Sequence, residues 1–190
     1  LGAEDVPARI ALLGANEIAP GCEHWAQITL EREIGTLAGD RFILRDASAR
    51  HTIGGGQVLD IFPPSRKKGS PERLAMLAAL ADDNPATALQ LATEQQAAGV
   101  ELDTYALNRN LDPATLQAIT GQLNLKRVGN TAFSPNHWLA LEAKLLAALA
   151  AEHERAPDMP GVERDRLRRL TLPTLSRPAF DALLAEPLAS

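Results

Sequence analysis

Two regimes of hydrophobic patterning divide the chain. Up to residue 62 the apolar residues come in short runs bounded by turn formers: ARIALL (8–13), EHWAQITL (23–30), DRFILRD (40–46) and TIGGGQVLD (52–60). In the second run Trp25, Gln27 and Thr29 alternate with Ala26, Ile28 and Leu30, the period-two sign of a strand with one wet face. Pro20-Gly21 and Ala38-Gly39-Asp40 mark turns between the runs. Strands this short and this evenly spaced predict a barrel or a sandwich.

Residues 63–70, PPSRKKGS, read as a linker. Two prolines stiffen its start, and Arg66, Lys67 and Lys68 keep it solvated as a hinge. The same cations suit contact with a phosphate backbone. Beyond it the period becomes helical. Ser70 can cap a helix with Pro71 in its first turn, and Leu74, Leu77 and Leu80 line one face. Asn84-Pro85 repeats that start, and Gly99 supplies a left-handed stop. Asp103 opens a short helix carrying Tyr105 and Leu107. Asp112-Pro113 opens another, with Leu116, Ile119 and Leu123 on one side. Residues 126–128, a Gly129-Asn130 turn and residues 131–133 predict a hairpin.

Helix, short helix, helix, hairpin is the order of a winged helix. Ser134-Pro135 then starts a longer helix with Trp138, Leu141, Leu145 and Leu149 at helical spacing, which APDMPG (156–161) breaks. Residues 162–170 and 177–186 predict two shorter helices. That restarts the same order without its hairpin. The expected organisation is a β-domain (1–62), a basic Pro-rich linker (63–70), a first winged helix (71–136) and a second, lacking its wing (137–190).

Composition narrows the function. The apolar fraction of 45% supports real cores, but aromatics at 4% leave those cores to Leu, Ala, Ile and Val. A net charge of −5 argues against a chain wholly dedicated to nucleic acid and leaves room for local basic patches. Cys22 is alone, so no internal disulfide can form, and the four His are scattered, which argues against a structural zinc. No run has the length of a membrane span, and no signal-peptide pattern opens the chain. A cytoplasmic protein without membrane partners is expected. The polar start without Met and the stop at LLAEPLAS suggest a piece of something longer.

The triplet Gly54-Gly55-Gly56 raises the question of a phosphate loop. A Walker-type loop needs Lys-Ser/Thr and a helix after its last glycine. Gln57-Val58-Leu59 follows instead, and the spacing of a dinucleotide loop is absent. The triplet therefore reads as a bend, a bulge or a close backbone approach in a strand. His24, His51, His137 and His153 have no partners at ligand spacing, and Ser48 and Ser65 lack the setting of an activated nucleophile. No catalytic constellation emerges. The third helix of the first winged helix, PATLQAITGQL, has no Lys or Arg. It would enter a groove without the dominant electrostatic term, so this module reads as a spacer or protein-contacting unit. Arg164, Arg166, Arg168 and Arg169 cluster in the second module, offset partly by Glu163 and Asp165. They form a candidate RNA contact together with Arg66, Lys67 and Lys68; the competing reading is that the arginine cluster pairs with acidic neighbours or simply faces solvent.

GDRFILRDASARHTIGGGQVLDIFPP resembles the end of the third barrel domain of the selenocysteine-specific elongation factors, itself similar to the last barrel of elongation factor Tu. ERDRLRRLTLP and the helix before it resemble the passage between that family's first two winged helices. The resemblance implies an α+β multidomain chain: a partial Tu-like antiparallel β-barrel followed by mainly helical winged-helix domains. It implies a parent protein that delivers selenocysteinyl-tRNA to the ribosome at recoded UGA codons and binds an mRNA hairpin with later modules. GTP and Mg would belong to an absent N-terminal domain, leaving no cofactor and no enzymatic activity here.

By position, the resemblance makes Arg32 and the loop Asp46, Ala47, Ser48, Ala49 and Arg50 face the tRNA acceptor–T arm, with Arg45 adding charge. His51 stands where the Tu pattern has Arg, Ala47 replaces a Gly, and the loop is two residues longer. The competing class is a winged-helix transcription regulator with a small β ligand-binding or dimerisation domain, which needs a basic third helix. A barrel lacking strands leaves edges open. Residues 1–62 are accordingly expected to self-associate, to pack on the helical half or to be partly disordered.

Overall fold

The computed structural model describes residues 5–158 and 161–185. Strands β1 (Ala8–Leu12) and β2 (Ala26–Leu30) pair antiparallel, Ala8 opposite Leu30. Strands β3 (Arg41–Arg45) and β4 (Thr52–Gln57) do the same, Arg41 opposite Gln57. The two ribbons are separate two-stranded sheets. Among the described residues no strand closes them, so their edges stay open. Two-stranded ribbons have too little facing surface to bury a core. Ile43 and Ile53 are accordingly 70% and 64% exposed, while Leu13 alone among the described β-part hydrophobics is fully buried. The clean alternation read along β2 does not hold: Gln27 and Ile28 are both half-buried.

Leu13 is buried because the β-part packs on the helical half. A Cβ on Gly14 would lie 3.4 Å from a methyl carbon of Leu74. Of the three expected fates of the β-part, the described contacts show this one. The linker is also held more firmly than its composition suggests. Before it, Asp60 pairs with Arg73 at 2.8 Å, both side chains almost out of solvent. At its last residue, Ser70 caps the next helix, its hydroxyl accepting from the Arg73 amide at 3.3 Å.

Helices α1 (Pro71–Leu80) and α2 (Pro85–Gln95) start where Ser70-Pro71 and Asn84-Pro85 placed them. A two-residue strand, β5 (Val100–Glu101), follows, then α3 (Leu102–Arg109), α4 (Pro113–Gln122), β6 (Lys126–Val128) and β7 (Thr131–Phe133). The sheet order β5-β7-β6 makes α2 to β7 a winged helix with its small third strand, and α1 is an additional helix packed on α2. Sequence patterning misses β5 because two residues carry no period. Glu101 shows what the strand does: its carboxylate accepts from the Asn130 amide and the Thr131 hydroxyl, tying β5 to β7. That side chain is thereby committed, and α3 begins at Leu102 without a side-chain cap.

The second helical unit comprises α5 (Pro135–Arg155), α6 (Arg164–Thr171) and α7 (Arg177–Ala185). The expected end of α7 at Glu186 and part of the preceding break lie outside the described residues. The two units share a wall. Strand β7 is buried on both faces: Ala132 belongs to the first core with Leu89, Leu102 and Tyr105, and Phe133 to the second with Trp138, Leu145 and Phe180. The Phe133 and Trp138 rings meet edge-on at 5.2 Å. The wing of the first module is thus the partition between two cores.

Candidate nucleic-acid interface

The β3–β4 loop is built around Asp46. Its carboxylate accepts from the Ser48 hydroxyl at 2.9 Å, the Arg50 amide at 2.8 Å and the His51 amide at 3.2 Å, with the His51 ring also at 3.2 Å. The Asp46 amide donates to the His51 carbonyl at 2.9 Å and closes the loop. These bonds hold Ala49 at φ +55°, a left-handed conformation costing an L-residue roughly 1–2 kcal/mol. They also favour the ionised carboxylate. The Ser48 hydroxyl is the largest cause holding Asp46 below its ordinary pKa, followed by the amide of His51. Asp46 is thus committed to shaping the loop, while Arg45, Ala47, Ser48 and Arg50 are exposed on it. The His51 side chain is 80% exposed, and Arg32 is exposed just after β2.

The glycines lie in β4 opposite Phe42, Ile43 and Leu44. A Cβ on Gly55 would lie 2.7 Å from the Phe42 carbonyl oxygen, and one on Gly56 would lie 2.7 Å from the Phe42 ring. Gly54 has open space, but the register shifts beside it, Leu44 facing Gly54 and Arg45 facing Thr52. Ile53 is the extra residue of this bulge, which brings Thr52 and the loop round. No helix follows the triplet, and its three residues form strand.

The other basic candidates lie elsewhere. Arg66 and Lys67 are exposed and Lys68 is half-buried. Lys67 takes φ +53° and its carbonyl accepts from Ser70. In α6, Arg164 pairs with Asp181 at 3.2 Å, and Arg177 pairs with Asp165 at 2.9 Å. Arg168 turns inward and donates to the Leu175 carbonyl at 3.1 Å. Arg166 and Arg169 remain exposed. The cluster is therefore more neutralised than its sequence suggests, because Asp181 arrives from α7.

The first module presents little to a nucleic acid. Exposed positions of α4 include Gln117, Ala118, Gly121 and Gln122, with no cation. The wing cations are engaged within the protein: Lys126 sits 5.1 Å from the Trp138 ring centroid, and Arg127 reaches the Thr120 hydroxyl at 3.3 Å. Among the described residues no His, Cys, Asp and Glu group is suited to a metal, and no helix is long and apolar enough to cross a membrane.

Comparison with known proteins decides between the two classes. Residues 1–65 match the family model of the selenocysteine-specific elongation factor beta-barrel domain, and residues 146–190 match that of the elongation factor SelB winged helix. The chain belongs to the selenocysteine-specific elongation factor family. The Escherichia coli K12 factor is 33% identical over 172 residues, 90% of this chain and 26% of that protein. The Haemophilus influenzae Rd factor is 28% identical over 190 residues, covering 93% of this chain and 28% of that protein. The chain therefore spans about a quarter of the length of these relatives. The α+β reading of barrel strands followed by winged-helix modules stands, and the transcription-regulator alternative is not favoured.

Proposed function

We propose that this chain forms the tRNA-facing barrel strands and the winged-helix spacer of a factor that delivers selenocysteinyl-tRNA to the ribosome at recoded UGA codons. The observation that carries the reading is the match, in order, of both ends of the chain to barrel and winged-helix models of one family. In this proposal Arg32, Arg45 and Arg50 supply the charge that meets phosphates, and the loop around Asp46 holds Arg50 ready. A loop ordered before binding spares the cost of ordering it on the RNA. GTP and Mg bind in another part of the protein, as does the mRNA hairpin, and this chain turns over no nucleotide. The engaged wing and uncharged α4 support a spacer role for the first module. Arg166 and Arg169, with the linker cations, are secondary RNA contacts. The setting is the cytoplasm.

Filter binding with labelled tRNA and a labelled DNA duplex tests the assignment. Salt-sensitive retention of tRNA in preference to duplex is expected. Tighter binding of duplex DNA than of tRNA would overturn it.

A further inference from the structure

Asn108 is 4% exposed, in a short helix, and neither a cap nor part of the loop around Asp46. It shares the buried face of α3 with Leu102 and Tyr105. Its side-chain oxygen accepts from the Ile61 amide at 3.0 Å, and its side-chain nitrogen donates to the Leu59 carbonyl at 3.1 Å. The Leu59 C=O and the Ile61 N–H, two residues apart, both face the Asn108 side chain and so present one edge to it. The Asn108 amide answers that edge as a neighbouring strand's peptide would. The Asn108 backbone carbonyl, one of the last in α3 and free of a helical partner, accepts from the Ala38 amide at 3.0 Å. One residue therefore holds both the β2–β3 connection and the segment leaving β4.

Between the two gripped residues, Asp60 points to the other helix. It pairs with Arg73 of α1 at 2.8 Å, the two side chains 12% and 13% exposed, and also accepts from the Phe62 amide at 2.8 Å. Residues 59–61 are thus held from α3 and from α1 at once. A linker whose leading flank is fixed by two helices does not serve as a hinge, whatever its own composition.

We propose that Asn108 is a positioning residue that sets the angle between the β-part and the helical arm, making the arm a rigid lever on the barrel. Its importance to delivery rests on the reading above, but the joint itself does not. Only an asparagine supplies a donor and an acceptor at this reach. Aspartate keeps the bond to Ile61 and sets a carboxylate against the Leu59 carbonyl; alanine loses both bonds.

Double electron–electron resonance on the 190-residue chain tests the joint. Spin labels go on Thr29→Cys in β2 and Ala151→Cys in α5, both exposed positions, in a Cys22→Ser background. A single narrow distance distribution is expected with Asn108. Asn108→Ala should broaden it at least two-fold, Asn108→Asp should fall between, and Leu107→Ala, at an exposed neighbour, should leave it unchanged. If Asn108→Ala unfolds the first module, Asn108→Asp decides, since it keeps the size of the side chain and the bond to Ile61 while losing the one to Leu59. A distribution as narrow in the deciding variant as in the parent overturns the proposal, as does a parent distribution that is already broad. No RNA enters the measurement, so its outcome is independent of whether tRNA binds.

Discussion

Replacing Phe133 by alanine tests the shared wall between the two helical units. Phe133 is fully buried, faces the second core and meets Trp138 edge-on at 5.2 Å. Truncating a buried Phe costs about 3–5 kcal/mol, of which the ring pair supplies roughly 0.5–1.5. Against a typical domain stability of about 5–15 kcal/mol that is a large fraction. The assay is urea unfolding followed by Trp138 fluorescence in a Trp25→Phe background. With a slope of roughly 1–3 kcal/mol per molar urea, the midpoint should fall by about 1–5 M. Leu139→Ala, at a position 61% exposed, should shift stability by no more than about 0.5 kcal/mol. Because Phe133 and Ala132 are adjacent in one strand, loss of the second core should also loosen the first. The Leu102 amide, which donates to the Asn130 carbonyl at 2.8 Å, should exchange faster in the variant. A change in unfolding free energy below about 1 kcal/mol, or unaltered exchange at Leu102, would refute the reasoning.

Gly99→Ala should destabilise the first module twice over. Its φ is +85° and a Cβ would lie 2.5 Å from the Thr131 methyl, adding about 1–3 kcal/mol of overpacking to the left-handed penalty; the thermal midpoint reads it. Gly56→Ala should turn the half-buried Phe42 ring aside at little cost in stability, visible as shifted β3 amide resonances. Asp46 should titrate below its ordinary value of about 3.9. Because its pKa is lowered in the folded chain, its contribution to loop order is complete above that ordinary value. It is lost as pH falls through the lowered one, and carboxyl resonances of Asp46 followed with the Ser48 and Arg50 amides would show both events together.

Most elements were legible because their boundaries carry their own chemistry. Ser70-Pro71, Asn84-Pro85, Asp112-Pro113 and Ser134-Pro135 each start a helix, and in each the polar side chain accepts from an amide of the first turn. The Gly129-Asn130 turn fixes the hairpin register, Val128 opposite Thr131. What the pattern could not convey depends on partners far along the chain. Strand β5 exists because Glu101 bonds residues some thirty positions later. Arg164 looks free until α7 brings Asp181 beside it. Solvated composition suggested a hinge at residues 63–70, but buried contacts on either side hold its ends. One signal for that joint was present in the sequence: Asn108 falls three residues after Tyr105 and six after Leu102, on the face that must be buried. The candidate interface was legible as a loop with cations. Its left-handed Ala49 was not, since it depends on how Asp46 meets Ser48, Arg50 and His51 within the loop, a geometry that the residue types alone do not fix.

The most direct test of the central claim, that the barrel rim grips tRNA through Arg32 and Arg50, is the salt dependence of tRNA binding. Each phosphate contact contributes about one unit to the slope of log affinity against log salt. The double variant Arg32→Ala, Arg50→Ala should bind more weakly and with a slope smaller by about two units, its far-ultraviolet spectrum unchanged. Binding with the parent's slope and affinity in the double variant would contradict the account.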